Sequence, residues 1–464
     1  MAILIWFQRD LRIKDNPMLD WALKQNQAII AIFIDSPEED TPWKIGAASS
    51  WWLHQSLNSL AKKLESLNIS LHFFRGNSVE IIPKLIRTLD ITSIAWTIRY
   101  EPNRTQCEKK IIKLLKQQNI SINTFKPFFL TNPERFLTKK NNRPYRVFTP
   151  FYKRLRTRIL DTTEKKYGEP GQLNHRQLYL QKKPFINISS IKLKQLNLLD
   201  SIPWHQKLHN HWQPGEDSAE QQINKFIQTR LEDYKNSRDL PAMDITSKLS
   251  PHLHFGEISI RKIISMLQNH MIFNTNQVTE SVECFLRQLI WKEFANYLLF
   301  HFPNSTQHSM DASFNNSFWQ QNQEALRKWQ SGNTGFDIID AAMHQLWQCG
   351  WIHNRTRMLC ASFLTKNLGI HWIEGAHWFW NTLVDADLAN NTMGWQWVAG
   401  CGVDAAPYFR IFNPITQQAR FDSEKKYITR WNGNQNIEPI VDLKQSRENA
   451  LLRYRKIKTI KPSK

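Results

Sequence analysis

The chain has 464 residues, of which 41% are hydrophobic and 12% aromatic. This length and composition allow sizeable buried cores and predict two ordinary folded domains. Lysine and arginine together number 61 against 41 aspartate and glutamate residues, so the formal net charge is +20. Polyanions are the natural partners of such a protein, although charge alone does not decide whether a basic protein binds nucleic acid.

Several classes of protein are disfavoured by what the sequence lacks. The five cysteines are scattered without a CxxC pair, which argues against disulfides and metal clusters and favours a cytoplasmic location. The start of the chain has no basic leader and no apolar run could cross a bilayer, so we expect no membrane attachment. His205, His209 and His211 have no carboxylate close by in sequence, and we predict no metal site. Hydrolase and Walker-loop motifs are also missing, which favours a bound cofactor.

The first part of the chain alternates short apolar runs with stretches of helical period. The runs are residues 2–7, 28–35, 70–74, 93–98 and 120–125. This alternation predicts a parallel α/β sheet in a domain of residues 1–128. The turn after the first run, Gln8-Arg9-Asp10, lacks the glycines that bring a backbone close to a pyrophosphate, so we expect no nicotinamide site there.

Residues 129–213 lose this regularity and are rich in proline, asparagine and basic residues, for example Lys139-Lys140 and Lys153-Arg154. We interpret them as a connector, partly ordered, that crosses the surface. Its basic runs are either a solvated face or lie beside DNA.

Residues 214–464 show successive helical patterns, at 219–234, 282–300, 335–346 and 354–368, and predict a mainly helical domain with a short basic tail. Thirteen of the nineteen tryptophans lie between Trp204 and Trp431. Core packing explains many of them, because an indole buries a large area. Their number also indicates a use for indole rings.

The segment from Leu383 to Trp397 joins two acids, several amides and two indoles within fifteen residues. Buried acids and amides need hydrogen-bond partners, and a polar ring system such as a flavin offers both donors and acceptors. On these residues alone, the segment indicates a polar pocket.

Three segments resemble the flavin-binding signature of photolyases and cryptochromes, namely residues 385–391, 394–397 and 404–414. Residues 6–12, 246–251, 289–294 and 350–358 match the same superfamily. The sequence is most similar to bacterial cyclobutane pyrimidine dimer photolyases of the class I or class III type. This resemblance implies a Rossmann-like N-terminal antenna domain and a large all-helical, FAD-binding C-terminal domain.

The resemblance also assigns the residues that contact FAD. It places Arg357 and Asp385 beside the isoalloxazine as an ion pair, and the uncharged amide of Asn391 at N5, where it favours the reduced flavin. The further positions are, around the phosphates and ribityl chain, Tyr234, Thr246, Ser247, Lys248, Leu249 and Ser250, and, around the ring, Gln288, Trp351, Asn354 and Asp387.

The implied activity is light-driven repair of DNA damaged by ultraviolet light. Excited, reduced FAD passes one electron to a cyclobutane dimer that has left the base stack, and the dimer opens before the electron returns. The resemblance gives Trp291 and Trp397 as stacking walls and Gln288, Asn354 and Met358 as further contacts. Phosphate contacts are assigned to Arg238, Lys248, Arg355 and Arg410, and the indoles that carry electrons to the flavin are Trp395, Trp372 and Trp319.

Some positions leave alternatives open. Gln288 stands where most dimer photolyases have glutamate, and (6-4) photolyases also carry glutamine there. Phe285, often tryptophan in relatives, matches a further wall of the dimer pocket. A blue-light receptor of the cryptochrome type is the other alternative.

The antenna chromophore is a separate question. Residues 42–57 resemble bacterial photolyases related to plant cryptochromes, which suggests methenyltetrahydrofolate. Arg104 stands where one folate-binding group has glutamate, and a deazaflavin is the second choice. We expect a monomer.

Overall fold

The computed structural model describes residues 2–126, 130–160, 188–199, 203–274, 279–315, 319–432 and 437–460. The predicted domain boundary at residues 128 and 129 lies outside these ranges. Within the described residues, no helix is long and apolar enough to span a membrane.

A five-stranded parallel sheet forms the N-terminal domain, as the apolar runs predict. Its strands are β1 (Ala2–Phe7), β2 (Ala28–Asp35), β3 (Leu71–Arg75), β4 (Ile91–Thr97) and β5 (Ser121–Phe125). The order across the sheet is β3-β2-β1-β4-β5, and every pairing is parallel. All six residues of β1 are buried, because helices cover both faces of such a sheet and its central strand meets no water.

Four helices accompany the sheet. They are α1 (Pro17–Lys24), α2 (Ala47–Glu65), α3 (Ser78–Thr88) and α4 (Pro102–Lys116). Asn16 and Asn77 cap α1 and α3 by accepting hydrogen bonds from backbone amides of the first turn. The strand order changes direction between β1 and β4, which opens a crevice at their carboxyl ends.

Residues 148–160 of the predicted connector form a helix that packs into the core. Helix α5 (Phe148–Leu160) lies there, and Phe148, Phe151 and Leu155 are at most 1% exposed. These apolar residues recur at helical spacing and pack against the C-terminal helices. Basic residues separate these apolar positions and obscure the pattern in the sequence. Arg156 is partly structural as well, since its Nε donates to Glu283 at 2.5 Å.

The described part of the C-terminal domain is mainly helical, as predicted. Its α-helices are α6 (Glu216–Thr229), α7 (Tyr234–Ser237), α8 (Ser250–His254), α9 (Ile260–Asn274), α10 (Glu280–His301), α11 (Gln323–Ser331), α12 (Asp337–Cys349), α13 (Asn354–Ser362), α14 (Trp372–Thr382), α15 (Leu388–Ala399), α16 (Pro414–Phe421), α17 (Lys426–Trp431) and α18 (Leu443–Ile460). The pattern at 219–234 divides into α6 and α7. The pattern at 354–368 is α13 followed by a π-helical turn, Phe363–Asn367.

Short 3₁₀ helices join some of these elements. They are Leu193–Leu196, Pro203–Asn210, Pro303–Thr306 and Ala312–Phe314.

Buried hydrogen bonds join the two domains close to the end of β1. The Arg12 guanidinium donates to the carbonyl of Gly256 at 2.7 Å, and the Leu11 amide donates to the carbonyl of Phe255 at 3.1 Å. Gly256 has φ +68°, and a Cβ there would lie 2.0 Å from the Arg9 carbonyl oxygen. Only glycine allows this approach, which places the carboxyl ends of the strands against the helical domain.

Candidate functional site

Helix α15 has one buried side and one open side. Trp395 and Gln396 are buried, whereas Gly394, the residue directly before them, is exposed. A Cβ on Gly394 would meet no atom within 4 Å. Asn391 and Trp397 lie on the same side of the helix and are partly buried. This side therefore faces space that protein atoms do not fill.

A buried ion pair stands beside the start of this helix. Arg357 on α13 donates to both carboxylate oxygens of Asp385, at 2.9 and 3.0 Å, as the resemblance led us to expect. Ser250, at the start of α8, donates to the same carboxylate at 2.6 Å. Asp385 is only 8% exposed, so its charge depends on these partners. The Arg357 guanidinium also donates to the Ile352 carbonyl and lies 5.9 Å from the centre of the Trp351 ring.

Asn391 is held in one orientation by the neighbouring helix. Its side-chain nitrogen donates to the Ala376 carbonyl of α14 at 3.0 Å. The amide oxygen is therefore turned away from α14. The side chain is neutral and presents a fixed dipole on the open side of α15.

Both carboxylate oxygens of Asp387 have partners within the protein. One carboxylate oxygen caps α15 by accepting from the Asn390 amide at 2.9 Å, and the other accepts from Lys292 at 2.8 Å. Burial alone would raise the pKa of Asp387, but the charge of Lys292 holds it well below its usual range. His254 lies 3.4 Å away, and burial lowers its pKa to about 4, so its ring is neutral near pH 7.

The motif analysis missed Lys292 and His254, although both lie inside matched or adjoining segments. Together with Arg9, Arg99 and Glu101 they line a polar cleft at the carboxyl ends of β1 and β4. Their spacing in sequence gives no sign of this contact.

The loop before α8 brings several expected phosphate contacts together. The carbonyls of Thr246 and Ser247 accept from side chains of α6 and its end, Arg230 at 3.3 Å and Gln222 at 2.9 Å. Lys248 has φ +53° and pairs with Asp244 at 2.7 Å. Leu249 is buried, which leaves the hydroxyls of Thr246, Ser247 and Ser250 as the accessible polar groups.

Two residues expected at the pocket are mainly core residues. Tyr234 is 6% exposed and Phe285 is 3% exposed, and their rings meet edge to face at 5.5 Å. Phe285 also packs on Phe226 at 4.6 Å. Its interpretation as a wall of the dimer pocket stays a prediction.

The expected lesion contacts lie on α10, α13 and α15. Trp291 stacks on Phe148, and Trp397 is partly buried. Gln288 is partly buried, with its amide nitrogen 3.5 Å from the Cys284 carbonyl. Asn354 is exposed, and its amide nitrogen lies 3.8 Å from the sulfur of Met358, one turn further along α13.

Two of the expected phosphate-binding arginines share one acid. Arg355 pairs with Asp239 at 2.9 Å, and Arg238 lies 3.9 Å from the same carboxylate. Their side chains are 16% and 17% exposed. Arg410 is exposed, on a loop where Phe409 is 60% exposed.

The three indoles of the expected electron chain differ in burial. Trp395 is 3% exposed, Trp372 is fully buried and Trp319 is partly exposed. Trp395 rests against Gly375 of α14, where a Cβ would lie 2.0 Å from the indole. The His371 ring lies 5.7 Å from Trp372 and 4.9 Å from Trp319. Of these three indoles, Trp319 is the one that reaches solvent.

A second polar cleft, of about 260 Å³, lies between the two domains. Its lining includes Thr41, Trp43, Asn103 and Trp380. Arg104, also in the lining, is tied to Asp40 at 2.7 Å and to Glu39 at 2.6 Å. In the part of the chain that the structure describes, no three His, Cys, Asp or Glu side chains are grouped to hold a metal ion.

Comparison with known proteins identifies the class of protein to which this architecture belongs. Residues 3–169 match the family described as DNA photolyase, and residues 285–437 match the FAD binding domain of DNA photolyase. An FAD-binding domain fits the open side of α15 and the polar groups around it. The chain is therefore an FAD-binding flavoprotein.

Individual relatives agree with this assignment. A deoxyribodipyrimidine photo-lyase of Agrobacterium fabrum is 36% identical over 92% of this chain and 86% of its own length. Cryptochrome-2 of Arabidopsis thaliana is 31% identical over 92% of this chain and 70% of its own length. A bacterial class III photolyase from Agrobacterium tumefaciens superposes with a TM-score of 0.89, 33% identity and coverage of 99% and 98%. The chain belongs to the DNA photolyase/cryptochrome family, which confirms the prediction from its motifs.

Replacing Asp385 tests whether the ion pair supports the flavin. In Asp385→Asn, Arg357 loses its ionic partner, and a hydrogen bond to a charged group is worth about 1.5 to 3 kcal/mol. We expect the flavin content of the purified protein, read from the ratio of visible to ultraviolet absorbance, to fall about tenfold or more. Glu424→Gln, which removes an exposed pair with Lys426, is the control. Full flavin content in Asp385→Asn would contradict the assignment.

Replacing Asp239 tests whether Arg238 and Arg355 serve DNA. In Asp239→Asn both guanidinium groups lose a competing anion, so we expect undamaged duplex DNA to bind about two- to fivefold more tightly and with a steeper dependence on salt. Fluorescence anisotropy at several salt concentrations measures both effects. Glu324→Gln makes the same change in net charge at an exposed pair with Lys328. Equal effects of the two variants would reject a local role for Asp239.

Proposed function

We propose that this protein repairs cyclobutane pyrimidine dimers in DNA in a light-dependent reaction. The observation that carries the proposal is the open side of α15 at Gly394, on the helix that begins just after Asp385 of the Arg357–Asp385 ion pair and that also carries Trp397. FAD bound here, when reduced and excited by light, supplies the electron that splits the dimer. The work of the protein is to position the partners and to set the local charge.

The residues of the chain divide this work between them. Arg357 and Asp385 hold the ring of the flavin through a charged, directional pair. The hydroxyls of Thr246 and Ser247 are suited to donate to the phosphates, and the hydroxyl of Ser250, whose proton goes to Asp385, can accept a hydrogen bond from the ribityl chain. Asn391 presents a neutral amide whose orientation Ala376 fixes, so the position expected at N5 carries no negative charge.

A second set of residues receives the damaged bases. Trp291 and Trp397 are indoles on which extruded bases stack, and such a contact is worth about 1 to 3 kcal/mol per base. Gln288 can both donate to and accept from a pyrimidine edge. Phosphates on either side of the lesion are neutralised by Arg410, Arg355 and Arg238. These arginines place part of the net positive charge of +20 at the DNA-binding surface.

Electrons that keep the flavin reduced travel along Trp319, Trp372 and Trp395. The exposure of Trp319 supports this direction, because a partly exposed indole can exchange electrons with a reductant in solvent, whereas Trp372 and Trp395 are buried. The neutral His371 lies between the outer two rings, and burial lowers its pKa to about 4.

The repair assay uses reduced protein under blue light. Duplexes that carry one cyclobutane dimer or one (6-4) product are illuminated, and restored bases are quantified, with dark samples as the control. We expect the dimer to be restored and the (6-4) product to remain. Repair of the (6-4) product alone would establish that alternative, which Gln288 leaves open. Repair of neither lesion would favour a blue-light receptor.

We also propose methenyltetrahydrofolate as the antenna, in the cleft between the domains. The indole nitrogen of Trp43 in that cleft is buried and, among the described residues, has no hydrogen-bond partner, so it can donate to a ligand.

Absorbance distinguishes the two antennae. Purified protein supplied with methenyltetrahydrofolate should retain a near-ultraviolet band beyond that of the flavin, and Trp43→Phe, which removes the indole donor but keeps a ring, should weaken retention. Retention of an added deazaflavin but not of the folate would reject the proposal.

A further inference from the structure

The indole of Trp291 lies flat against a second aromatic ring. Its ring centre is 3.5 Å from that of Phe148, and the two planes differ by 5°. Phe148 is 1% exposed, whereas Trp291 is partly exposed. Phe148 therefore covers one face of the indole and leaves the other for a stacked base. Aromatic pairs prefer an offset to this face-to-face arrangement, so the surrounding packing must hold it in place.

The neighbours of Phe148 leave its ring little freedom. Tyr152, one turn further along α5, lies 5.5 Å away, and Phe294 of α10 meets the ring edge to face at 5.7 Å. The Arg287 guanidinium lies 5.0 Å from Phe148 and 4.8 Å from Tyr152. Because α10 also carries Trp291, these contacts fix the indole relative to α5.

The backbone of Phe148 makes a second connection. Its amide donates to the carboxylate of Asp404 at 2.9 Å. Asp404 is exposed, has φ +49° and begins the loop that bears Phe409 and Arg410. One residue of α5 thus contacts both the stacking wall and the loop that carries Arg410.

We propose that Phe148 is a positioning residue for lesion recognition, which acts by setting the plane of Trp291 and by tying it to the loop of residues 404–410. The proposal deepens the proposed function and rests on it. An indole that is already held in its plane loses little conformational entropy when the dimer binds. Undamaged DNA is held mainly through its phosphates and does not need this wall.

The test compares Phe148→Leu with Phe151→Leu in the full-length protein loaded with FAD. Leucine keeps the apolar volume and the backbone bond to Asp404 but removes the parallel ring. Phe151 is equally buried on the same helix, and its ring packs on Phe136, Phe294 and Tyr297. It therefore controls for a general loss of core packing.

Affinities for a dimer-containing duplex and for the matching undamaged duplex are the readouts. Phe148→Leu should weaken dimer binding about two- to twelvefold, the equivalent of the ring–ring energy of an aromatic pair. Its affinity for undamaged DNA and its flavin content should not change. Phe151→Leu should leave the ratio of the two affinities unchanged. An equal loss of this ratio in both variants would overturn the proposal.

A double-mutant cycle isolates the route of the effect. If Phe148 acts through the indole, Phe148→Leu should have no further effect on dimer affinity in a Trp291→Ala background. Additive losses would reject action through Trp291. If Phe148→Leu does not fold, Asp404→Asn weakens the link to the loop from an exposed position. That variant should lower the affinity for the dimer-containing duplex but not the affinity for the undamaged duplex. An unchanged affinity for the dimer-containing duplex would contradict the coupling to the loop.

The wild-type measurement separates the two hypotheses. If the wild-type protein does not prefer dimer-containing DNA, the proposed function fails and the inference fails with it. If the wild-type protein does prefer it and the Phe148 variants keep that preference, only the positioning role is rejected.

Discussion

The buried carboxylate of Asp385 is the constraint on which the arrangement of the helical domain depends. At 8% exposure, its charge must be matched by partners that the fold brings to it. Arg357 comes from α13 and Ser250 from α8, so the carboxylate joins three segments that are distant in sequence. Two of these segments carry most of the residues assigned to FAD, and the third begins α15.

The two tryptophans of α15 show that tryptophan has more than one role in this protein. Trp395 is buried, and Gly375 of α14 makes room for it, so it contributes to the core as well as to the expected electron chain. Trp397 lies toward the open side of the same helix. In the sheet domain, Trp6 and Trp96 are fully buried and only fill the core.

The sequence predicts the fold well because the signals of the sheet are local. Strands β1 and β2 are almost uninterrupted apolar runs, and motif residues such as Asp385 and Arg357 meet as expected. Contacts between distant segments could not be predicted in this way. The apolar positions of α5 are separated by basic residues, which obscure its helical pattern. The side chain of Asp387 lies against Lys292 because their opposite charges attract, and the spacing of the two residues in sequence does not reveal this contact. The roles of the site residues remain predictions.

The central claim is that a flavin in this pocket lies close enough to an extruded dimer for one electron to cross. The most direct measurement is the lifetime of the excited, reduced flavin with saturating dimer-containing DNA and with the same DNA undamaged. The account predicts a clearly shorter lifetime with the dimer, because electron transfer adds a route of decay. Equal lifetimes with the two DNAs, under conditions where both are bound, would contradict it.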